Sequence, residues 1–460
     1  MFHWTYYPGS VPGGYKYTVH ACYFKNGGIE LRSKATVNLN LGFNSFSSLE
    51  LGFTRGYVSS QSFQDRFGDD PSIEPKHRTV VYNTAPYQKK YNWLGAHARK
   101  LVFDFLKECN EDNSIEVDVF AYDFDEPDMI KSIAGMGSRV RVFQDNHDIH
   151  TDAGSIEPMA IRMFKKAGVR IKTGNFGRFQ HNKVLIQKFR GKAKKILTGS
   201  ANFSLRGLYV QANSILVFED LDIADLYEQA FEQAFTDERK FKSSSISSKW
   251  YDLKKSSKRP LMSVSFAPHR EAFTIDKVAD SIKSAKSSVL FSIMQMTGGG
   301  ELVPLLKGLH KRNNVFSLGT TETSKDLELY KPGIDDNAAI VPFSYLKENV
   351  SVPFRKEWKG GRGRVIHHKF VVCDFNDKNP VVFCGSSNLS TGGEKSNGDN
   401  LIAICDPDIS TLYAVEAIRL FDHYRFRSLK RKSTTNKPLK LDDTDKWTRP
   451  YYDPKNIKFL

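Results

Sequence analysis

The sequence contains no apolar run of about 18 residues, the length a helix needs to cross a bilayer. Its opening, MFHWTYYPGSVPGGYKYTVH, lacks a basic stretch followed by an apolar core and so does not read as a secretion signal. Cysteine is scarce as well: Cys22, Cys109, Cys373, Cys384 and Cys405 make an odd set of five without CxxC spacing. That pattern argues against a disulfide framework and against a cysteine zinc site. It points to reduced thiols in a cytosol-like compartment, with Cys373 and Cys384 as small core residues. The expectation is a soluble, cytoplasmic protein without integral membrane association.

Positive charge is what the chain has in surplus. Lysine and arginine number 67 against 52 aspartates and glutamates, a net charge of +15. Such a balance suits a polyanionic partner, nucleic acid first and an anionic membrane surface second. At 460 residues the chain is long enough for two or three units.

The stretch KSSSISSKWYDLKKSSKR at 242–259 is serine-rich and basic and precedes Pro260, which is a linker signature. The same order of elements stands on either side of it. Leu101, Phe105 and Leu106 predict a helix over 96–109, followed by a strand over 115–122. Ile275, Val278, Ala279 and Ile282 predict a helix over 273–286, followed by a strand over 288–296. Alternating helices and apolar strands predict an α/β fold of two pseudo-symmetric layered lobes, 80–245 and 261–430, joined by a linker at 246–260. Residues 1–75, with Val37, Leu39, Leu41 and Phe43 alternating, predict a small β-rich N-terminal extension. Residues 431–460 read as a C-terminal arm packed on the body.

Two short stretches repeat across the linker. QHNKVLIQKF places His181 and Lys183 before an apolar run, and IHHKFVVCDF does the same with His367 and Lys369. Each is followed by a second run closed by Gly-Ser-small-Asn: Gly199, Ser200 and Asn202, then Gly385, Ser386 and Asn388. One constant offset in sequence relates His181 to His367, Lys183 to Lys369, Gly199 to Gly385 and Asn202 to Asn388. Four positions in step are the mark of a duplicated unit. Asn213 and Asn400 each precede a further apolar run, but they stand one position out of step, which implies a single-residue indel between them.

Polar side chains carried to the ends of apolar strands need partners or a ligand. Neutral histidine is a nucleophile and protonated histidine an acid, both accessible near neutral pH. Two of them on opposite sides of a phosphorus atom divide in-line attack from protonation of the leaving oxygen. Lysines, serine hydroxyls and asparagine amides hold the non-bridging oxygens. The set suits phosphodiester cleavage with neither metal nor cofactor.

The run His367-His368-Lys369, four residues, then Asp374, with GSSN beyond it, resembles the HKD motif of the phospholipase D superfamily, whose members carry that motif twice. The first copy is similar at His181, Lys183, Gly199, Ser200 and Asn202, so the resemblance spans roughly 80–430. It implies a two-lobed α/β sandwich with one site between the lobes, a phosphohistidine intermediate and no metal. The catalytic set it implies is His181, Lys183, His367, Lys369 and Asp374, with Ser200, Asn202, Ser386, Asn388, Asn213, Asn400 and Glu394 binding phosphate or supporting the site. The first copy departs from the motif at residue 188, which is lysine where the motif has aspartate. On the family pattern Asp374 supports His181, making His181 the nucleophile and His367 the acid and base, with Glu394 or Asp399 as alternative partners for His367.

The motif does not choose a substrate. The net charge and the segment FRKEWKGGRGR, with Arg355, Lys356, Trp358, Lys359, Arg362 and Arg364, favour nucleic acid, since cations beside aromatics suit a phosphate backbone and its bases. The expected activity is that of a nuclease. The alternatives are a phospholipase D or phosphatidyltransferase, and a nucleic-acid-binding protein impaired in its first motif.

Overall fold

The computed structural model describes residues 13–25, 28–41, 45–56, 61–68, 70, 72–152, 155–296, 298–312, 314–322, 338–342, 366–429, 444, 446, 449 and 452–454. The basic segment carrying Arg355, Lys356, Trp358, Lys359, Arg362 and Arg364 lies outside the described residues, as does most of the expected arm at 431–460.

A long ribbon comes first, β1 (Gly13–Lys25) paired antiparallel with β2 (Gly28–Leu41). Two eight-stranded mixed sheets follow. The first runs, from one edge to the other, β3 (Ser45–Phe46), β4 (Leu49–Phe53), β11 (Ser214–Phe218), β10 (Lys192–Gly199), β9 (Val184–Phe189), β5 (Ile115–Ala121), β6 (Val140–Asp145) and β7 (Arg170–Gly174). The second runs β12 (Tyr251–Leu253), β13 (Leu261–Phe266), β20 (Asn400–Cys405), β18 (Val381–Gly385), β17 (Lys369–Cys373), β14 (Ser288–Ile293), β15 (Phe316–Thr321) and β16 (Ala338–Pro342). The two orders correspond strand for strand, so the duplication read from the motifs extends through the whole architecture. In each sheet the inner strands are fully buried apolar runs, SILVF in β11 and SVLFSI in β14 among them, as sheets covered on both faces require.

Helix α1 (Gln88–Glu111) covers the outer face of the first sheet and α3 (Thr274–Ser284) that of the second. The helix expected from residue 96 starts earlier, at Gln88, and kinks at Ala96, whose φ is +45°. Helices α2 (Leu221–Asp237) and α4 (Pro407–Leu429) lie with the inner faces of both sheets. The central core is shared: Leu216, Phe218 and Phe231 from one half join Phe266, Ile404 and Tyr413 from the other. The lobes therefore fold against one another over a common apolar layer, which fixes the site between them.

Two expected boundaries move. β4 lies inside the segment expected to be an extension, yet it pairs with β11 and buries Leu49 and Leu51 completely. The first lobe thus begins before residue 75, since a five-residue strand has too few alternations to stand out. Similarly, Tyr251–Leu253 within the expected linker pairs with β13 as an edge strand of the second sheet.

Lys188, where the motif has aspartate, is almost buried at the far end of β9, paired with Glu228 at 2.8 Å and Asp118 at 3.5 Å. Arg141 binds the same Asp118. Lysine is there because its surroundings are acidic. Lys188→Asp, which restores the motif's residue, is expected to lower stability by about 3–5 kcal/mol by leaving buried carboxylates without their cation. Thermal unfolding checks it, and an unchanged midpoint contradicts it.

Candidate active site

Both motifs sit where a strand of one half enters its sheet beside the other half. The short strand β8 (Phe179–Gln180) pairs parallel with β19 (Asn397–Gly398), and Ile366 bridges Ala212 in the same manner. His181 N–H donates to Gly398 O at 2.9 Å, and His367 N–H to Ala212 O at 3.2 Å. The backbone before each histidine is held by a carboxylate: Gln180 N–H donates to Asp145 Oδ2 at 2.5 Å and Ile366 N–H to Glu322 Oε2 at 2.8 Å. The donors Gln180 and His181 relate to Ile366 and His367 by the same constant offset as the motifs. Asp145 and Glu322 escaped the sequence reading because they lie on β6 and just past β15, outside the repeated motif.

The imidazoles are oriented across the same junction by unlike groups. His181 Nδ1 lies 2.6 Å from Asp399 Oδ1, and His367 Nδ1 lies 2.9 Å from Asn213 Oδ1. Asp399 stands at the motif offset from Asn213, so Asp399, not Asn400, is the counterpart of Asn213, and the period runs on without an indel. Asn213 donates from Nδ2 to Gly207 O at 2.9 Å, which fixes its oxygen towards His367. Both partners accept from an Nδ1–H, leaving Nε2 as the candidate reactive atom of each ring.

The serines serve these partners. Ser200 Oγ donates to Asn213 Oδ1 at 2.8 Å and Ser386 Oγ to Asp399 Oδ1 at 3.3 Å. Each hydroxyl also accepts the N–H that opens the next strand, from Ser214 and Asn400. Gly199 and Gly385 make that approach possible: a Cβ would lie 2.2 Å from Ser214 O and 2.6 Å from Asn400 O, and both residues have positive φ. Asn400 ties to Asn182 across the junction at 2.9 Å. Among the described residues Asn202 and Asn388 each have a buried side-chain oxygen without a partner, and Asn202 Nδ2 donates to Asp123 Oδ2 at 2.6 Å.

Lys183 and Lys369 are fully buried, each donating to the carbonyl of its own histidine, and Lys369 Nζ also lies 3.1 Å from His367 Nδ1. Tyr122, unnoticed in the sequence, lays its ring edge-on to His181 and takes Lys183 Nζ over its face at 4.7 Å. Burial, with the charge of Lys183 beside it, pushes the His181 pKa down to about 4, against the pull of Asp399. Lys369 of the other half acts on His181 in the same direction, so the two motifs share one electrostatic field. Burial likewise pushes Lys183 down to about 7, opposed by Asp399, Asp123 and Asp145.

Two expected members stand elsewhere. Asp374 sits at the opposite end of β17 from His367 and accepts the backbone N–H groups of Lys286, Ser287 and Ser288 at 2.8–3.2 Å. It fastens the turn between α3 and β14 and supports neither histidine. Glu394 accepts from Phe273 and Thr274 at the start of α3 instead of reaching His367. The second imidazole of the HHK run is structural too: His368 Nε2 meets Glu416 Oε1 at 3.0 Å, and Glu416 is paired with Arg419.

Among the described residues, Asp123, His150 and Glu157 are the group whose donor atoms come close enough to hold a cation, all within 4.8 Å. His150 lies 3.4–3.5 Å from both carboxylates and 3.8 Å from Asp145, and these acids raise its pKa despite its burial.

The sequence matches the family model described as "Cardiolipin synthase, PLD-like domain" over residues 103–235 and 278–421, together more than half of the chain. The chain belongs to the phospholipase D superfamily. No curated protein matches it. Solved structures similar to this superfamily member include polyphosphate kinase from Porphyromonas gingivalis, 13% identical over 76% of this chain and 52% of that one, with a TM-score of 0.46. The chain spans about half the length of that kinase. Phosphatidylserine synthase from Haemophilus influenzae Rd KW20 is 13% identical over 73% of this chain and 88% of that one, with a TM-score of 0.46. Yeast tyrosyl-DNA phosphodiesterase is 9% identical over 65% and 84%, with a TM-score of 0.34.

Asp374→Ala is expected to cost about 1–3 kcal/mol of stability by orphaning amide donors, with turnover per folded molecule unchanged. Denaturant unfolding beside active-site titration checks it, and a lost turnover in folded protein contradicts it. A second expectation concerns pH. If His181 is the nucleophile its neutral form attacks, so kcat/KM is expected to fall as pH drops through about 4. If Lys183 holds phosphate it does so in its charged form, so kcat/KM is also expected to fall as pH rises through about 7. Rates on bis(p-nitrophenyl) phosphate across that range test both limbs, and a profile flat through neutrality contradicts the second.

Proposed function

We propose that the protein is a phosphodiesterase that cleaves nucleic acid through a covalent phosphohistidine, His181 acting as nucleophile and His367 as acid and then base. The observation that carries the reaction is the unlike pair of supports, Asp399 on His181 and Asn213 on His367. His181 Nε2 attacks phosphorus and the bond from phosphorus to the leaving oxygen breaks, His367 Nε2–H giving that oxygen its proton. The phosphorylated ring becomes cationic, and the Asp399 carboxylate offsets this charge. His367, held by a neutral amide, gives up its proton more readily than a carboxylate-bound imidazolium would. In the second step it takes a proton from water, whose oxygen attacks phosphorus and breaks the bond to nitrogen. Lys183, Lys369, Asn202 and Asn388 hold the non-bridging oxygens, so this chemistry needs no metal.

Nucleic acid is the substrate class favoured by the net charge of +15. Arg178, exposed beside the junction where its N–H meets Ser396 O, has its sequence counterpart at the motif offset in Arg364, which opens the second motif. A cation just ahead of each motif suits a phosphodiester chain that runs past both motifs. The second reading, phosphatidyl transfer, is favoured by the description of the matching family model. Among the described residues no helix is long and apolar enough to cross a membrane.

The experiment is incubation with labelled single- and double-stranded DNA, RNA and phosphatidylglycerol vesicles in excess EDTA, beside His367→Ala. Cleavage of a nucleic acid that survives chelation and falls by about 10²–10⁴-fold in the variant is the expected result. Turnover of the lipid alone overturns the nuclease reading, and turnover of nothing overturns the catalytic one.

A further inference from the structure

The two motif lysines are equivalent by sequence but rest on different surfaces. Lys369 Nζ donates to His367 O at 2.7 Å and lies 3.1 Å from Nδ1 and 3.3 Å from Nε2 of the same side chain. Nearly equal separations from two nitrogens that flank one carbon place the ammonium over the ring, since an in-plane approach at that range would collide with the carbon. Lys183 Nζ also donates to the carbonyl of its own histidine, His181. Among the described residues, though, it makes no hydrogen bond to a ring nitrogen of His181 and has no carboxylate within ion-pair distance. Its other close contact is the face of Tyr122, with Nζ 4.7 Å from the ring centroid.

Tyr122 keeps that place because its ring is wedged. Edge contacts join it to His150 at 4.5 Å, His181 at 4.8 Å and Phe179 at 5.6 Å, and its carbonyl accepts from Gln144 Nε2 at 2.5 Å. An aromatic face carries negative charge density, and its attraction for a cation grows when the pair is out of water. Strand register identifies the counterpart in the other half. Phe120 of β5 pairs with Val184 of β9, and Ser292 of β14 pairs with Phe370 of β17. Val184 and Phe370 stand at the motif offset, so Tyr122 is equivalent to Met294, which is buried. A thioether has no ring face to offer an ammonium.

We propose that Tyr122 is a positioning residue: its face draws the Lys183 ammonium away from the ring nitrogens of His181 and leaves that imidazole open for attack on phosphorus. This role rests on the one proposed for His181 as nucleophile. An ammonium stacked on an imidazole opposes any further positive charge there. It helps an acid release its proton and hinders a nucleophile that must become cationic. Lys369 over the His367 ring meets the first need, and Tyr122 spares His181 the second. Lys183 still acts on His181 through space, favouring the neutral ring without occupying either nitrogen. Tyr122 against Met294 thus adds a second asymmetry to that of Asp399 against Asn213.

The test is rapid quench of the full chain with bis(p-nitrophenyl) phosphate under single-turnover conditions, which follows release of p-nitrophenol and decay of the alkali-stable adduct as separate steps. Tyr122→Leu is expected to slow release by about 10–30-fold, the equivalent of a desolvated cation–π contact. Decay of the adduct, in which His367 is the base, is expected to stay within about twofold. Tyr122→Phe keeps the face and is expected to stay within about threefold of the unaltered protein in both steps. Pentafluorophenylalanine at position 122 keeps the shape of the ring and reverses the charge of its face, so it is expected to be as slow as Tyr122→Leu. That comparison stands even where the leucine variant does not fold. Unchanged release in Tyr122→Leu, equal slowing of release and decay, or a fluorinated ring as good as phenylalanine overturns the role of Tyr122 alone. An unaltered protein that releases no p-nitrophenol overturns the catalytic reading and this role with it.

Discussion

Each motif histidine depends on a strand that belongs to the other half of the chain. Gly398 and Asp399 take the backbone and side chain of His181, while Ala212 and Asn213 take those of His367. Neither half can orient its own imidazole. The shared apolar layer of Leu216, Phe218, Phe231, Phe266, Ile404 and Tyr413 is what keeps the two junctions in register. Buried lysines and carboxylates are tolerated beside it because each has a fixed partner, and removal of any one leaves the others desolvated and unpaired.

The duplicated architecture would make two identical half-sites, and chemistry needs them to differ. The difference is one atom type at one equivalent position, the carboxylate oxygen of Asp399 against the amide oxygen of Asn213. On the proposed roles, a carboxylate beside His181 offsets the cation that would form when the ring binds phosphorus. On the same roles, a neutral amide orients His367 without trapping the proton it would give up. Further asymmetry accumulates on the His181 side, where Tyr122, Asp123, Asp145 and His150 surround Lys183. His367 instead borders Lys369, and its neighbour His368 is anchored to Glu416 and Arg419 of α4.

Much of this was legible in the sequence because duplication is a strong signal. The constant step between the halves located His181, Lys183, His367, Lys369 and both Gly-Ser-small-Asn ends before any fold was known, and alternating helices and apolar strands gave the layered α/β class. The supports were less legible because they are contacts between halves. Asp374 belongs to the motif by spacing, but a β-strand carries it to the end far from the histidine, where it ties down a turn. Asp399 lay one residue from the asparagine matched to Asn213, and strict use of the same step would have found it. The lobe edges were missed for a different reason. β4 and β12 are short strands that owe their place to pairing with β11 and β13, and local pattern carries no record of that.

The division of roles between the two histidines is tested most directly by catching the intermediate. The unaltered protein is mixed with a cleavable labelled oligonucleotide, quenched in alkali within one turnover, digested and mapped by mass spectrometry for phosphorylated histidine. Asp399 beside His181 predicts the adduct on His181. An adduct on His367, or on neither histidine while product accumulates, contradicts the account.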